Sequence, residues 1–131
     1  MECERLKIQE SAENYLESIL ILYKQKGHVR SIDIVNYLEF SKPSVSVAMK
    51  NLRENGFIEM DSSGFITLTA EGLKIAETIY ERQTFLTKWR ISLGVDEDIA
   101  KEDACRMEHT MSPESFEAIK RFSMEYHLKN S

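Results

Sequence analysis

Cys105, Glu108 and His109 bring a thiol, a carboxylate and an imidazole to positions i, i+3 and i+4. On a helix that spacing sets all three on one face. These are ligand types that divalent transition metals take, and one of each suits iron, manganese or zinc over calcium. Three donors from one helix leave the shell incomplete. The carboxylate of Glu17, on the first predicted helix, is the best-placed further donor. The same spacing suits a buried cysteine, an ion-paired Glu108 and a capping or core His109, so spacing alone leaves both readings open. A metalloenzyme is disfavoured: the chain has no HExxH, no GxSxG and no phosphate-cradling glycine loop, and the cluster lacks a positioned base.

The elements that must position these donors are helical. Asp96-Glu97-Asp98 places negative charge at the start of a helix predicted to run to about Met111, as the helix dipole favours. Ser112-Pro113 starts a last helix with apolar positions Phe116, Ile119, Phe122 and Met124, and the tail after Tyr126 is expected to fray. Before them, Thr69 caps a long helix from Ala70 towards Leu93 whose apolar residues cover more than one face, with Phe85 and Trp89 as expected buried aromatics. Such a helix suits a dimer core. A first helix is expected from near Ser11 to Gly27, with Tyr15, Leu16, Ile19, Leu20, Leu22 and Tyr23 forming a broad apolar stripe.

Between the first and the long helix lies a second constellation. Ser31–Leu38 reads as a short amphipathic helix, and Glu39-Phe40-Ser41 leaves only a tight turn before the next. There Ser41 is an N-cap, Pro43 fits the first turn, and Gly56 ends the helix in a left-handed cap. Val45, Ala48, Met49 and Leu52 give a buried stripe, while Ser44, Val47, Lys50 and Asn51 form a face of short or hydrogen-bonding groups. Two helices so joined read as a helix-turn-helix, whose second helix enters the major groove of DNA, or as an ordinary helical hairpin of a small bundle. Phe57–Met60 and Phe65–Leu68 then alternate apolar and polar around Asp61-Ser62-Ser63-Gly64, a hairpin that makes the unit a winged helix. Ser62 and Ser63 are placed to donate to phosphates. His28 is expected as a solvated loop residue, and His127 as exposed.

Composition bounds the partners. A chain of 131 residues with 42% hydrophobic and 30% charged residues is of ordinary globular make-up. The net charge of −5 weighs against nucleic acid, although Arg30, Lys42, Lys50 and Arg53 line up among Asp33, Glu39, Glu54 and Glu59. It keeps open a winged helix that binds protein instead of DNA. Cys3 and Cys105 form no CxxC pair. The apolar run Ile19-Leu20-Ile21-Leu22-Tyr23 is too short to cross a bilayer, and MECERLKIQE lacks the regions of a signal peptide. A cytoplasmic protein without a membrane partner is expected.

The chain resembles the diphtheria toxin repressor and manganese transport regulator family of metal-dependent transcription repressors. The resemblance rests on Glu13-Asn14-Tyr15-Leu16-Glu17, Ser41-Lys42-Pro43-Ser44-Val45-Ser46, Leu68-Thr69-Ala70-Glu71-Gly72, Gly94-Val95-Asp96-Glu97 and Asp103-Ala104-Cys105-Arg106-Met107-Glu108-His109 with Met111-Ser112. It covers about residues 10 to 125 and is closest in form to short members without an SH3-like third domain. It implies Glu17, Cys105, Glu108 and His109 as ligands. Asn14 and Gln83 stand where members of the manganese branch carry Asp and His, and Thr87 and Lys101 depart from the iron branch's ancillary site. Cysteine at position 105 is similar to the iron branch. On the reading helix, Val47 replaces a glutamine that reaches the bases, which implies a different operator.

The expectation is a mainly α protein: a winged helix-turn-helix DNA-binding domain over residues 1–69, followed by an all-helical metal-binding and dimerisation domain over 70–131. It is not an enzyme but a homodimeric repressor of operator DNA under Fe2+ or Mn2+ control, with Zn2+ accepted in vitro. The metal ligands are Glu17, Cys105, Glu108 and His109, with Asn14 and Gln83 as weaker oxygen donors. The DNA contacts are Ser41, Lys42, Pro43, Ser44, Ser46, Val47, Lys50, Asn51, Ser62 and Ser63. The alternative, carried by Asn14 and Gln83, is a regulator of the same fold that has lost or altered metal sensing, with no metal at a degenerate site.

Overall fold

The computed structural model describes residues 2–107 and 110–130, with side-chain surroundings for 11–107 and 110–124. Among the described residues, six helices and one two-stranded sheet divide into two compact units, residues 1–78 and 79–131.

The first unit is built round helix α1 (Glu2–Lys26), which buries every residue from Tyr15 to Leu20 and so forms its centre. This helix starts at Glu2, well before Ser11. No glycine or proline interrupts residues 2–10, and Glu, Arg, Leu, Lys and Gln propagate a helix, so the capping capacity of Ser11 goes unused in mid-helix. Tyr23, expected in the apolar stripe, is exposed. Gly27, at φ +79°, closes the helix through its N–H to the Tyr23 carbonyl (2.8 Å).

Helix α2 (Ser31–Leu38) starts where the Arg30 N–H donates to Asp33 Oδ2 (2.9 Å), and buries Ile34. Lys26 donates to the other oxygen of that carboxylate (2.5 Å), and this hydrogen bond first, then the one from Arg30, hold the Asp33 carboxyl below its ordinary range. Glu39, left-handed at φ 57°, turns the chain into helix α3 (Lys42–Glu54). Strands β1 (Ile58–Met60) and β2 (Ile66–Leu68) pair antiparallel with Glu59 opposite Thr67, which points Ile58 and Ile66 inward together. Helix α4 (Ala70–Ser92) runs on from Thr69.

The second unit packs the later part of α4, α5 (Glu97–Met107) and α6 (Pro113–Asn130) round Leu86, Ala104 and Phe116. Phe85 and Trp89, expected as buried aromatics of a dimer core, are half-buried within the single chain. Phe116 is buried at the centre, with the Phe85 ring edge-on at 5.6 Å. Helix α5 is described as far as Met107, and Thr110 stands in a turn. The Thr110 N–H and hydroxyl both turn back to the Met107 carbonyl, and Ser112 accepts from the Ser115 N–H (3.1 Å) to open α6 before Pro113. Phe122 and Met124 are exposed, and α6 stays helical to Asn130 beyond the expected fraying point. Among the described residues, no helix is long and apolar enough to cross a membrane.

Candidate nucleic-acid interface and metal donors

Helix α3 sorts its residues by face. Ser41 accepts from the Ser44 N–H (3.3 Å) as N-cap, with Pro43 in the first turn where no backbone donor is missed. Val45, Met49 and Leu52 are buried, whereas Ala48 is only half-buried. The opposite side leaves Ser41, Lys42, Pro43, Ser44, Ser46, Val47, Lys50 and Asn51 exposed. Val47 is 59% exposed, an unusual position for an apolar side chain unless something covers it. It borders a recess of about 290 Å3 whose other wall is Ser11, Ala12 and Tyr15 of α1. At the far end, the Gly56 and Phe57 N–H groups bond to the Arg53 and Leu52 carbonyls, with Gly56 at φ +78°.

The hairpin after α3 is held at its tip and its base. Asp61 Oδ1 accepts from the Ser63 and Phe65 N–H groups (2.9 Å each), which leaves Ser62 and Ser63 exposed at the turn. At the base, Thr69 donates its hydroxyl to the Gly56 carbonyl (2.7 Å) and its N–H to the Phe57 carbonyl (3.1 Å), and accepts from the Gly72 N–H (3.2 Å). A Cβ on Gly72 would stand 2.0 Å from the Phe57 carbonyl oxygen, so α4 reaches this position only because residue 72 has no side chain. The Ile66 N–H donates to the Val29 carbonyl (2.7 Å), which lays the α1–α2 loop along β2. His28, exposed in that loop as expected, sets its ring edge-on to Phe65.

The expected metal donors are distributed over both units. In the first unit Glu17 is only 6% exposed, and Asn14 is half-buried one helical turn before it, its carbonyl accepting from the Ser18 hydroxyl (2.7 Å). In the second, Gln83 is half-buried on α4 and Cys105 exposed on α5. Glu108 and His109 lie outside the described residues, as do the side chains of Cys3 and His127. Among the described residues, no three His, Cys, Asp or Glu side chains are grouped to hold a metal ion. The chemistry of the donor set fits a divalent transition metal: thiolate and carboxylates supply charge, imidazole a borderline nitrogen. A carboxylate as buried as Glu17 is sustained only by a partner.

Sequence reasoning passed over the residues that hold these elements. Arg82 donates to the Met111 carbonyl (3.1 Å) and Arg90 contacts Asp103 (3.5 Å) and the Met107 sulfur, so α4 grips the chain on both sides of residues 108 and 109. Nothing in the spacing marks an arginine whose target is a backbone carbonyl. Gly72 and Asp61 were findable: one is a glycine inside a helical pattern, the other heads an Asp-x-x-Gly turn.

Residues 7–64 match the family of the iron dependent repressor N-terminal DNA binding domain, and residues 69–127 that of the iron dependent repressor metal binding and dimerisation domain. The transcriptional regulator MntR of Escherichia coli O6:H1 is 35% identical over 121 residues, which are 92% of this chain and 78% of that protein. Among solved structures, the manganese regulator SloR has a TM-score of 0.75 at 25% identity, covering 85% of this chain and 52% of its own. The structure of T. acidophilum IdeR has a TM-score of 0.69 at 28% identity, covering 85% and 53%. The chain spans about half the length of these two solved chains.

Proposed function

The chain belongs to the iron-dependent repressor family, and from that premise we propose that it represses transcription by binding operator DNA as a homodimer under control of a divalent metal. The observation that carries the reading is the α3 face, with its apolar side buried and Ser44, Ser46, Val47, Lys50 and Asn51 left to solvent. Residues 1–69 are proposed as the DNA-binding domain and 70–131 as the metal-binding and dimerisation domain, in a cytoplasmic protein without enzymatic activity. Ser41, Lys42 and Pro43 start the contact at the N-terminus of α3, where backbone N–H groups suit a phosphate. Val47 offers a methyl surface to a thymine, and Ser62 and Ser63 extend donors from the hairpin. Exposed Ile91, Leu93, Ile99, Phe122 and Met124 on the second unit support a second copy as its partner.

The proposed ligands are Glu17, Cys105, Glu108 and His109, with Asn14 and Gln83 as oxygen donors, and the ion Fe2+ or Mn2+, with Zn2+ accepted in vitro. Bound there, the ion supplies positive charge and ligand bonds that favour the DNA-competent arrangement of the chain over others. A second reading, supported by the amides of Asn14 and Gln83, keeps the fold and the operator without metal control. One experiment separates the two: operator affinity measured under reducing conditions with and without Fe2+ or Mn2+. Metal control requires a gain in affinity. Equal affinities would leave the second reading standing, and no DNA binding in either condition would remove both.

A further inference from the structure

From Phe57 to Thr69 the hairpin carries Glu59 and Asp61 and no lysine or arginine. A wing of that composition repels a phosphate backbone, yet its tip is fixed and exposed as a contact element would be. The missing charge is supplied by a neighbouring segment. The Ile66 N–H to Val29 carbonyl bond holds the α1–α2 loop against β2. The next residue, Arg30, lays its guanidinium over the Phe65 ring, 4.2 Å from the centroid. The His28 ring meets the same ring edge-on, 5.6 Å between centroids. Among the described residues no carboxylate pairs with Arg30, because Asp33, the acid nearest in sequence, takes its cation from Lys26 and only a backbone N–H from Arg30. Stacking fixes one face of a guanidinium and leaves its edge donors for an anion, the arrangement in which arginine binds phosphate best.

We propose that Arg30, stacked on Phe65, is the cation through which this acidic wing meets the DNA backbone. The proposal rests on the DNA-binding reading above and adds a contact residue from outside the helix-turn-helix and the hairpin. Phe65 is then a positioning residue: it aims a charge that the hairpin itself lacks.

The test uses the full chain with Mn2+ present and two labelled duplexes, one recovered by the parent protein from a randomised pool and one of random sequence. Affinity is followed against salt concentration. Arg30→Ala is expected to weaken both duplexes about tenfold and to lower the salt slope by about one unit per protomer, the signature of one lost phosphate contact. Arg30→Lys is expected to restore the slope but not the full affinity, since an ammonium does not stack as a plane. Phe65→Leu is expected to keep the slope while weakening binding severalfold. Thermal unfolding of each variant checks the fold. Arg30→Ala with unchanged affinity and slope overturns the proposal, as does lost affinity at an unchanged slope, which marks a merely structural residue. A parent that binds neither duplex overturns the DNA-binding reading and this proposal with it.

Discussion

The first unit buries a broad apolar core, from Tyr15 and Ile19 to Ile58 and Ile66, and leaves Tyr23, Ile32, Tyr37, Phe40, Val47 and Leu73 exposed, whereas the second has a small core centred on Leu86, Ala104 and Phe116 beside exposed Ile91, Leu93, Ile99, Phe122 and Met124. The contrast extends to how each is wired. Around the reading helix, caps and turns close locally: Ser41 on Ser44, Asp61 on Ser63 and Phe65, Thr69 on Gly56 and Gly72. In the second unit the ties run between helices, through arginine side chains to Met111, Asp103 and Met107. A unit that finishes its own core can act as a rigid tool. One whose core is small beside the apolar surface it exposes suits completion by a partner.

The comparison is broken most decisively at His109. In the parent, metal at about one hundred times its dissociation constant should raise stability by ~2.7 kcal/mol. His109→Ala should abolish that gain, and Gln83→His should enlarge it, with Fe2+ or Zn2+ binding more tightly than Mn2+ to the four-ligand set. Calorimetry giving the same isotherm for parent and His109→Ala would remove the second unit's dependence on metal. Next in size is Gly72→Ala. Alanine gains about 1 kcal/mol over glycine in a helix, but its Cβ meets the Phe57 carbonyl, and overpacking against backbone should leave a net loss of ~2–3 kcal/mol in denaturant unfolding. A neutral result would mean that the first unit is not rigid at its hairpin base.

Smaller still is Lys50→Ala, exposed on the reading face. It should weaken all duplexes alike and lower the salt slope by about one unit, while Val47→Gln should change which bases are preferred. Binding by both variants that matches the parent would take the reading head away from α3. The smallest effect is on Asp33, whose carboxyl is held below its ordinary value of 3.8, first by the Lys26 hydrogen bond. Its contribution is present above that ordinary value and lost as pH falls through the lower folded value. Lys26→Met should therefore cost ~0.5 kcal/mol at neutral pH and flatten the acid limb of unfolding. An unchanged acid limb would mean that this pair does not bear on stability.

The reading helix was legible because its determinants are local: a capping serine, a proline two residues on and a glycine past the end stand in the right order between Ser41 and Gly56. The hairpin was legible for the same reason. The start of α1 was not, since Ser11 is a competent cap that the uninterrupted helix formers before it make redundant. Of the donor set, residue type and spacing gave candidates, but burial separates them: Glu17 is enclosed and Cys105 exposed, which no spacing rule distinguishes. The arginine ties to Met111 and Met107 left no trace in the pattern, because they join residues far apart in sequence.

Thr69 also has a consequence for the cost of association. Its hydroxyl and amide fasten both ends of the hairpin to the end of α3, while Asp61 fastens the tip. Most flexible loops surrender conformational entropy when they meet a partner, and that loss is subtracted from affinity. Here the loss has already been met on folding. In the proposed contact with a duplex the hairpin would arrive already shaped, so encounter would not wait on a rearrangement, and little extra heat-capacity change should accompany it.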